Sequence, residues 1–103
     1  MTNLFSIATK DTQQERFETL LQTSAIHIEK ITSHGQVSNQ WYEQSRDEWV
    51  LLVEGEGELL FENGSRLRLN KGEHTYIPKM KKHKVVYTAS PTIWLAIHFD
   101  TAQ

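Results

Sequence analysis

The stretch QWYEQSRDEWVLLVEG, residues Gln40–Gly55, decides how the chain folds. It contains an apolar run, Trp49–Val53, that is rich in Val and Leu and ends shortly before Gly55. Such a run predicts a buried β-strand. The residues that precede it combine aromatic side chains with three carboxylates and Arg46. Because polar groups that enter a core need partners, this cluster is either a hydrogen-bonded plug or a binding site.

The chain around this strand predicts further short strands. Residues Glu58–Leu69 alternate apolar and polar side chains on both sides of Asn63-Gly64, which is the strongest hairpin signal in the sequence. Strand patterns also occur at Ala25–Ile31, Gln40–Gln44, His74–Ile77, His83–Thr88 and Thr92–Phe99. About eight short strands separated by turns indicate an antiparallel sandwich or barrel.

The N-terminal residues have a different pattern. Residues Asp11–Gln22 predict a short helix, because Phe17, Leu20 and Leu21 have the i, i+3, i+4 spacing of one apolar stripe. We expect this helix to pack on the sheet, because so short a helix is marginal alone. The length of 103 residues suits one domain, with an N-terminal segment at 1–24 and the barrel at 25–103.

Composition limits the classes of function. A net charge of −2 gives no reason to expect nucleic acid or an anionic membrane as a partner. The absence of Cys excludes disulfides and thiolate chemistry. The N-terminus lacks a signal-peptide pattern, and no apolar run approaches the ~20 residues of a membrane helix. We therefore expect a cytoplasmic protein.

Two spacings resemble the motifs of small single-domain cupins. Those motifs are G-x5-H-x-H-x3-4-E-x6-G and G-x5-P-x-G-x2-H-x3-N. Here six residues separate Glu48 from Gly55, and Gly72, Pro78 and His83 have the spacing of the second motif. The resemblance covers roughly residues 26–99. It implies an all-β fold, an antiparallel double-stranded β-helix or jelly-roll barrel.

The resemblance also implies a divalent metal, but with departures. In the family, two His of the first motif, the Glu and the second-motif His bind one metal. Here Tyr42 and Gln44 occupy the paired His positions, and Met80 and Tyr87 replace the second motif's last Gly and its Asn. The resemblance therefore implies Glu48 and His83 as metal ligands, with the amide oxygen of Gln44 as a substitute ligand, for Fe, Mn, Zn or Ni. The alternative is a hydrogen-bonded Glu48–His83 pair without metal.

Other side chains extend this hypothesis. Tyr42 or His98 would move a proton in a catalytic site, although His98 could equally be a packing residue. Trp41, Tyr42 and Trp94 would line a ligand pocket. The lysines around His83 guard a strand edge or attract an anionic substrate. These four lysines are Lys79, Lys81, Lys82 and Lys84.

Two functions remain open at the level of sequence. One is a binding module that holds a small polar molecule in the barrel. The other is a metal-dependent enzyme, of isomerase, decarboxylase or dioxygenase type, on a small polar or sugar-like substrate. Apolar residues on the outward strand faces also predict a homodimer that packs sheet on sheet.

Overall fold

The computed structural model describes residues 3–8 and 10–101 and, within them, contains eight β-strands and no helix. Residues 1–2, 9, 102 and 103 belong to the two predicted segments but lie outside the described residues. The strands are β1 (Arg16–Gln22), β2 (Ile26–Ser33), β3 (Asp47–Glu54), β4 (Glu56–Phe61), β5 (Arg66–Asn70), β6 (His74–Ile77), β7 (His83–Thr88) and β8 (Thr92–Phe99).

The strands form two antiparallel sheets. One has the order β1-β2-β8-β3-β6, and the other has the order β5-β4-β7. The predicted all-β jelly-roll is therefore confirmed. The core lies between the sheets and consists of Val50, Leu52, Leu59, Phe61, Leu69, Ile77 and Trp94.

Strand β3 occupies an interior position of the larger sheet, as its apolar run predicts. It pairs with β6 on one side and with β8 on the other. Since side chains alternate along a strand, Glu48, Val50 and Leu52 share the inward face. Gly55 ends the strand with φ +87°, and a Cβ there would lie 2.5 Å from the Pro91 carbonyl oxygen. Only glycine fits this turn without displacing the backbone.

The predicted hairpin is present at Asn63-Gly64. Strands β4 and β5 pair directly on either side of it, and Gly64 has φ +90°. The Asn63 Oδ1 atom accepts hydrogen bonds from the backbone N–H and the hydroxyl of Ser65. The turn thus forms from local side-chain bonds, which explains why the sequence alone predicts it.

The predicted N-terminal helix is wrong. Residues Arg16–Gln22 form β1, which pairs with β2. A register shift between Thr19 and Leu21 interrupts the side-chain alternation of the strand. The sequence therefore lacks a clear strand pattern here, and the apolar residues have a spacing that resembles a helical stripe. A helix of about three turns is marginal by itself, whereas the edge of β2 offers a ladder of backbone hydrogen bonds.

The strand predicted at Gln40–Gln44 is also wrong, because only a single bridge forms there. Only Tyr42 forms a bridge, with His83, and the rest of this segment is irregular. The backbone N–H of Tyr42 donates to the His83 carbonyl at 2.7 Å, and that of His83 donates to the Tyr42 carbonyl at 3.0 Å. This one bridge is enough to bring the two degenerate motifs together.

The N-terminal segment covers part of the outer face of the larger sheet. The Lys30 ammonium group, on a side chain that is buried, donates to the carbonyls of Asn3 and Ser6. In the part of the chain that the structure describes, no helix could cross a membrane.

Candidate functional site

A cavity of about 240 Å³ lies between the two sheets. Its inner wall is apolar and consists of Ile31, Val50, Leu59, Ile77, Val85 and Trp94. Three carboxylates also line it, namely Glu15, Glu29 and Glu48. The remaining polar lining comes from Ser38, Tyr42, Gln44, His83 and His98, and Phe17 completes it. The volume falls just below the ~300–1,000 Å³ of most small-molecule pockets, so a small ligand is expected.

Strand pairing fixes the position of Glu48. It is the second residue of β3, opposite His98 on β8 and Ile77 on β6. Its side chain is only 10% exposed. The Gln44 amide donates a hydrogen bond to Glu48 Oε1 at 3.1 Å. A carboxyl group is thus buried with one amide donor and no Lys or Arg partner among the described residues.

His83 faces Glu48 across the cavity. Its Nε2 atom lies 3.7 Å from Glu48 Oε1, and its side chain is 7% exposed. The Nδ1 atom is 3.0 Å from the Lys81 carbonyl oxygen, which can only accept a hydrogen bond. Nδ1 must therefore carry the proton, so in the neutral ring the Nε2 lone pair points toward the cavity.

The loop after β6 holds the segment that carries Gln44. The backbone N–H of Met80 donates to the Gln44 carbonyl at 2.7 Å. Met80 stands where the family motif has glycine and adopts φ +67°, a left-handed conformation. The departure from the motif changes the side chain, but the backbone keeps the conformation that favours glycine.

Burial shifts the proton affinities of both central groups. Desolvation raises the pKa of Glu48 from 4.5 to about 7, with a smaller upward contribution from the charge of Glu29 and an opposing one from the Gln44 hydrogen bond. Desolvation lowers the pKa of His83, against the hydrogen bond to Lys81. At pH 7 about half of the Glu48 carboxyl groups therefore keep their proton, and burial favours the neutral form of the His83 imidazole beside them.

Two more titratable groups lie in the adjacent strands. His98 pairs with Glu48 on one side and with His27 on β2 on the other. Burial and the neighbouring charges of His27, Arg46 and His83 lower the pKa of His98. Burial raises the pKa of Glu29, although His27, at 3.9 Å, opposes this. The site thus combines carboxyl groups whose pKa values burial raises with imidazole groups whose pKa values burial lowers.

The structure separates the predicted aromatic residues. Tyr42 and Trp94 lie in the cavity wall, with Tyr42 partly exposed and Trp94 buried. Trp41 lies outside the lining, and the Lys84 ammonium group lies 4.6 Å from its ring centroid. The position of Trp41 follows from the irregular backbone of residues 40–44, which the sequence pattern does not predict.

The lysines near His83 do not line the cavity, and their side chains contact other groups. Lys81 lies over the Phe61 ring at 4.5 Å. Lys82 approaches the carboxylates of Glu43 and Glu62 at 3.9 and 4.0 Å. No lysine or arginine is among the described residues that line the cavity. The lysines therefore cover the outside of this loop.

Three lining residues are not predicted by the sequence. Glu15, Phe17 and Glu29 come from β1, its preceding turn and β2. The apolar stripe predicts Phe17 on a helix, and the strand pattern predicts Glu29 only as a polar position. The signal for Glu29 is its alternation with Ile31 on β2, which places both on one face.

The comparisons with known proteins agree with this architecture. The family model for the cupin domain matches residues 29–98. The chain belongs to this family. No curated protein matches this cupin. A crystal structure from Ralstonia eutropha JMP134, named a "putative mannose-6-phosphate isomerase", is 33% identical, covers 98% of both chains and has a TM-score of 0.90.

More distant solved structures share the cupin fold. An RmlC-like cupin protein from Desulfovibrio desulfuricans is 19% identical with a TM-score of 0.80, over 96% of this chain and 94% of the other. The DMSP lyase DddQ from Ruegeria pomeroyi DSS-3 is 15% identical with a TM-score of 0.76. That alignment covers 94% of this chain and 52% of the lyase. At such identities the likeness concerns the fold alone.

The metal that the cupin family implies fits these residues poorly. Gln44, Glu48 and His83 do meet around Glu48 Oε1. However, within residues 3–8 and 10–101 no three His, Cys, Asp or Glu side chains are grouped to hold a metal. Metal sites usually have three strong protein ligands, and the amide of Gln44 here donates to Glu48 instead of offering its oxygen.

The raised pKa of Glu48 predicts a specific pH dependence of stability. The folded state keeps the proton up to about pH 7, whereas the unfolded chain releases it near 4.5, so this group destabilises the fold as pH rises across that interval. The full cost reaches about 3 kcal/mol above pH 7. Glu48→Gln removes it and keeps an acceptor for Gln44.

We expect the free energy of unfolding of Glu48→Gln to exceed that of the wild type by about 1–3 kcal/mol at pH 8, with the difference vanishing near pH 4.5. Urea unfolding across this range measures it. The lowered pKa values of His83 and His98 destabilise both proteins below pH 6.5, so they largely cancel in the difference. A difference in unfolding free energy that does not change with pH would contradict the raised pKa of Glu48.

Proposed function

We propose that this cupin binds a small organic molecule in the cavity between its sheets, without a resident metal. The convergence of Gln44, Glu48 and His83 at one end of an otherwise apolar cavity supports the proposal most strongly. Such a cavity, with a few convergent polar groups and perturbed pKa values, is the usual form of a binding site. The polar group of the ligand would meet Glu48 and His83, and its apolar part would contact Trp94.

The apolar wall makes this binding specific in shape. Val50, Leu59 and Trp94 are buried core residues whose side chains also face the cavity. A ligand that covers them removes apolar surface from water at roughly 25 cal/mol per Å². Tyr42 would contact the ligand where the cavity meets solvent, because it is partly exposed and held by its bridge to His83.

A metal-dependent enzyme is the second candidate. It is favoured by the His83 tautomer, which leaves Nε2 free beside a carboxyl group, and by the name of the 33% identical Ralstonia protein. In that case Gln44, Glu48 and His83 would be the ligands, and Tyr42 or His98 would move a proton. The shortage of strong donors makes us prefer the binding module.

A screen of small molecules tests the proposed function. Neutral, cationic and anionic fragments at millimolar concentration are added to ¹⁵N-labelled protein, and amide shifts are followed by NMR. We expect some of them to shift Glu48, Leu59 and Val85 on the cavity wall, while Asn63 in the distant hairpin stays unchanged. If no fragment of any class shifts the cavity residues, the proposal fails.

Elemental analysis separates the two candidates in the same preparation. The protein is purified without chelators or a nickel column and then incubated with Fe, Mn, Zn or Ni. We expect well under one metal ion per chain. One ion per chain in the wild type, lost in both Glu48→Ala and His83→Ala, would instead establish the metal site and overturn the metal-free proposal.

We also propose that two copies pack through the outer face of the five-stranded sheet. Half-buried apolar side chains line that face on β3 and β8, namely Trp49, Leu51, Leu95 and Ile97. Continuous apolar faces of this kind are typical of interfaces.

Light scattering at micromolar concentration tests this dimer and should give twice the mass of one chain. Ile97→Lys should give a monomer, and Val37→Lys, an exposed position outside this sheet, should not. A monomeric wild type would contradict the proposal.

A further inference from the structure

The charges around the cavity indicate which class of ligand it takes. Its lining carries three carboxyl side chains, Glu15, Glu29 and Glu48, and no Lys or Arg among the described residues. Two cations in the segments next to the cavity contact other groups. Arg46 binds Asp100 through two hydrogen bonds of 3.1 and 3.2 Å, and Lys84 lies over the Trp41 ring. The lining therefore carries three acidic side chains and, among the described residues, no Lys or Arg that would neutralise them.

Hydrogen-bonding capacity indicates the same class independently. His83 is a deeply buried side chain whose Nε2 lone pair lines the cavity and takes part in none of the hydrogen bonds of the described residues. The Gln44 amide already donates to Glu48. The Nε2 lone pair is thus a free acceptor at this end of the cavity, and a ligand that satisfies it must donate a hydrogen bond.

We propose that the ligand is a small molecule with a primary ammonium group and a short apolar chain. The ammonium has three N–H donors and no acceptor, which matches the oxygens of Glu48 and the Nε2 of His83. Its positive charge favours the ionised form of Glu48, which is buried and has no Lys or Arg partner among the described residues. The chain lies against Val50, Leu59 and Trp94, and the cavity of about 240 Å³ limits its size.

The same features exclude anionic ligands. A phosphate or carboxylate would enter a cavity lined by three acidic side chains, with no Lys or Arg among the described lining residues to pair with it. A phosphorylated sugar, which the name of the Ralstonia protein suggests for that protein, therefore does not suit this cavity. This inference rests on the proposed binding function and specifies its ligand class.

Three probes of equal length test the inference. n-Butylammonium, n-butanol and butyrate are titrated into the wild type, and the amide shifts of Glu48, His83 and Leu59 are measured, with mannose 6-phosphate as a fourth probe. We expect butylammonium to bind at least about tenfold more tightly than butanol, since a charged hydrogen bond adds this much. Butyrate and mannose 6-phosphate should not shift these residues.

Variants assign the effect to the acids. Glu48→Gln should weaken butylammonium binding about tenfold, and Glu29→Gln should weaken it several-fold. Glu62→Gln is the matched control, because this exposed glutamate lies on the outside of the barrel and should leave binding unchanged. Folding of each variant is verified by its amide spectrum. Loss of affinity in the Glu62 variant equal to that in Glu48→Gln would overturn the assignment.

The outcomes also distinguish this inference from the proposed function. Equal binding of butanol and butylammonium, or tighter binding of butyrate or mannose 6-phosphate at these residues, would overturn the ammonium inference and leave a cavity that binds small molecules. Absence of butylammonium binding would overturn it as well. The proposed function itself fails only if the wider fragment screen also leaves the cavity residues unshifted.

Discussion

The burial of the Glu48 carboxyl group beside His83 is the constraint on which the site depends. Desolvation makes an unpaired charge costly there, and it therefore raises the pKa of Glu48 to about 7. The Gln44 amide supplies one hydrogen-bond donor. The paired strands and the Tyr42–His83 bridge hold these groups in place. A buried acid that lacks a cation is an unfavourable arrangement for a core alone, but it suits a cavity that receives a cationic ligand.

Regions with strong local signals are predictable from the sequence. Strand β3 is evident from its aliphatic run, and the β4–β5 hairpin from Asn63-Gly64. The motif spacing of Glu48 and His83 is enough to predict that these two residues, far apart in the chain, meet in the fold. Each of these signals depends on a few adjacent residues or on a motif, so tertiary contacts do not override it.

The failures occur where tertiary pairing decides the outcome. The sequence of β1 has a helical pattern because a bulge interrupts the alternation of its apolar and polar side chains. Its pairing with β2 makes it a strand. Glu15, just before β1, and Glu29 on β2 supply much of the acidic character of the cavity, so the motifs do not reveal the ligand's charge. Similarly, the Tyr42–His83 bridge and the bond from Met80 to Gln44 hold residues 40–44, and the irregular backbone there places Trp41 outside the cavity.

A carbon NMR titration of the Glu48 side-chain carboxyl in the ligand-free protein measures the pKa of this buried group. The spectrum of Glu48→Gln assigns the resonance by its absence. We expect a midpoint near pH 7, because the buried group has no Lys or Arg partner among the described residues. A midpoint at or below the ordinary value of 4.5 would show that the carboxylate is already charged and paired in the folded state. It would contradict both the raised pKa of Glu48 and the proposal that the cavity takes a cationic ligand.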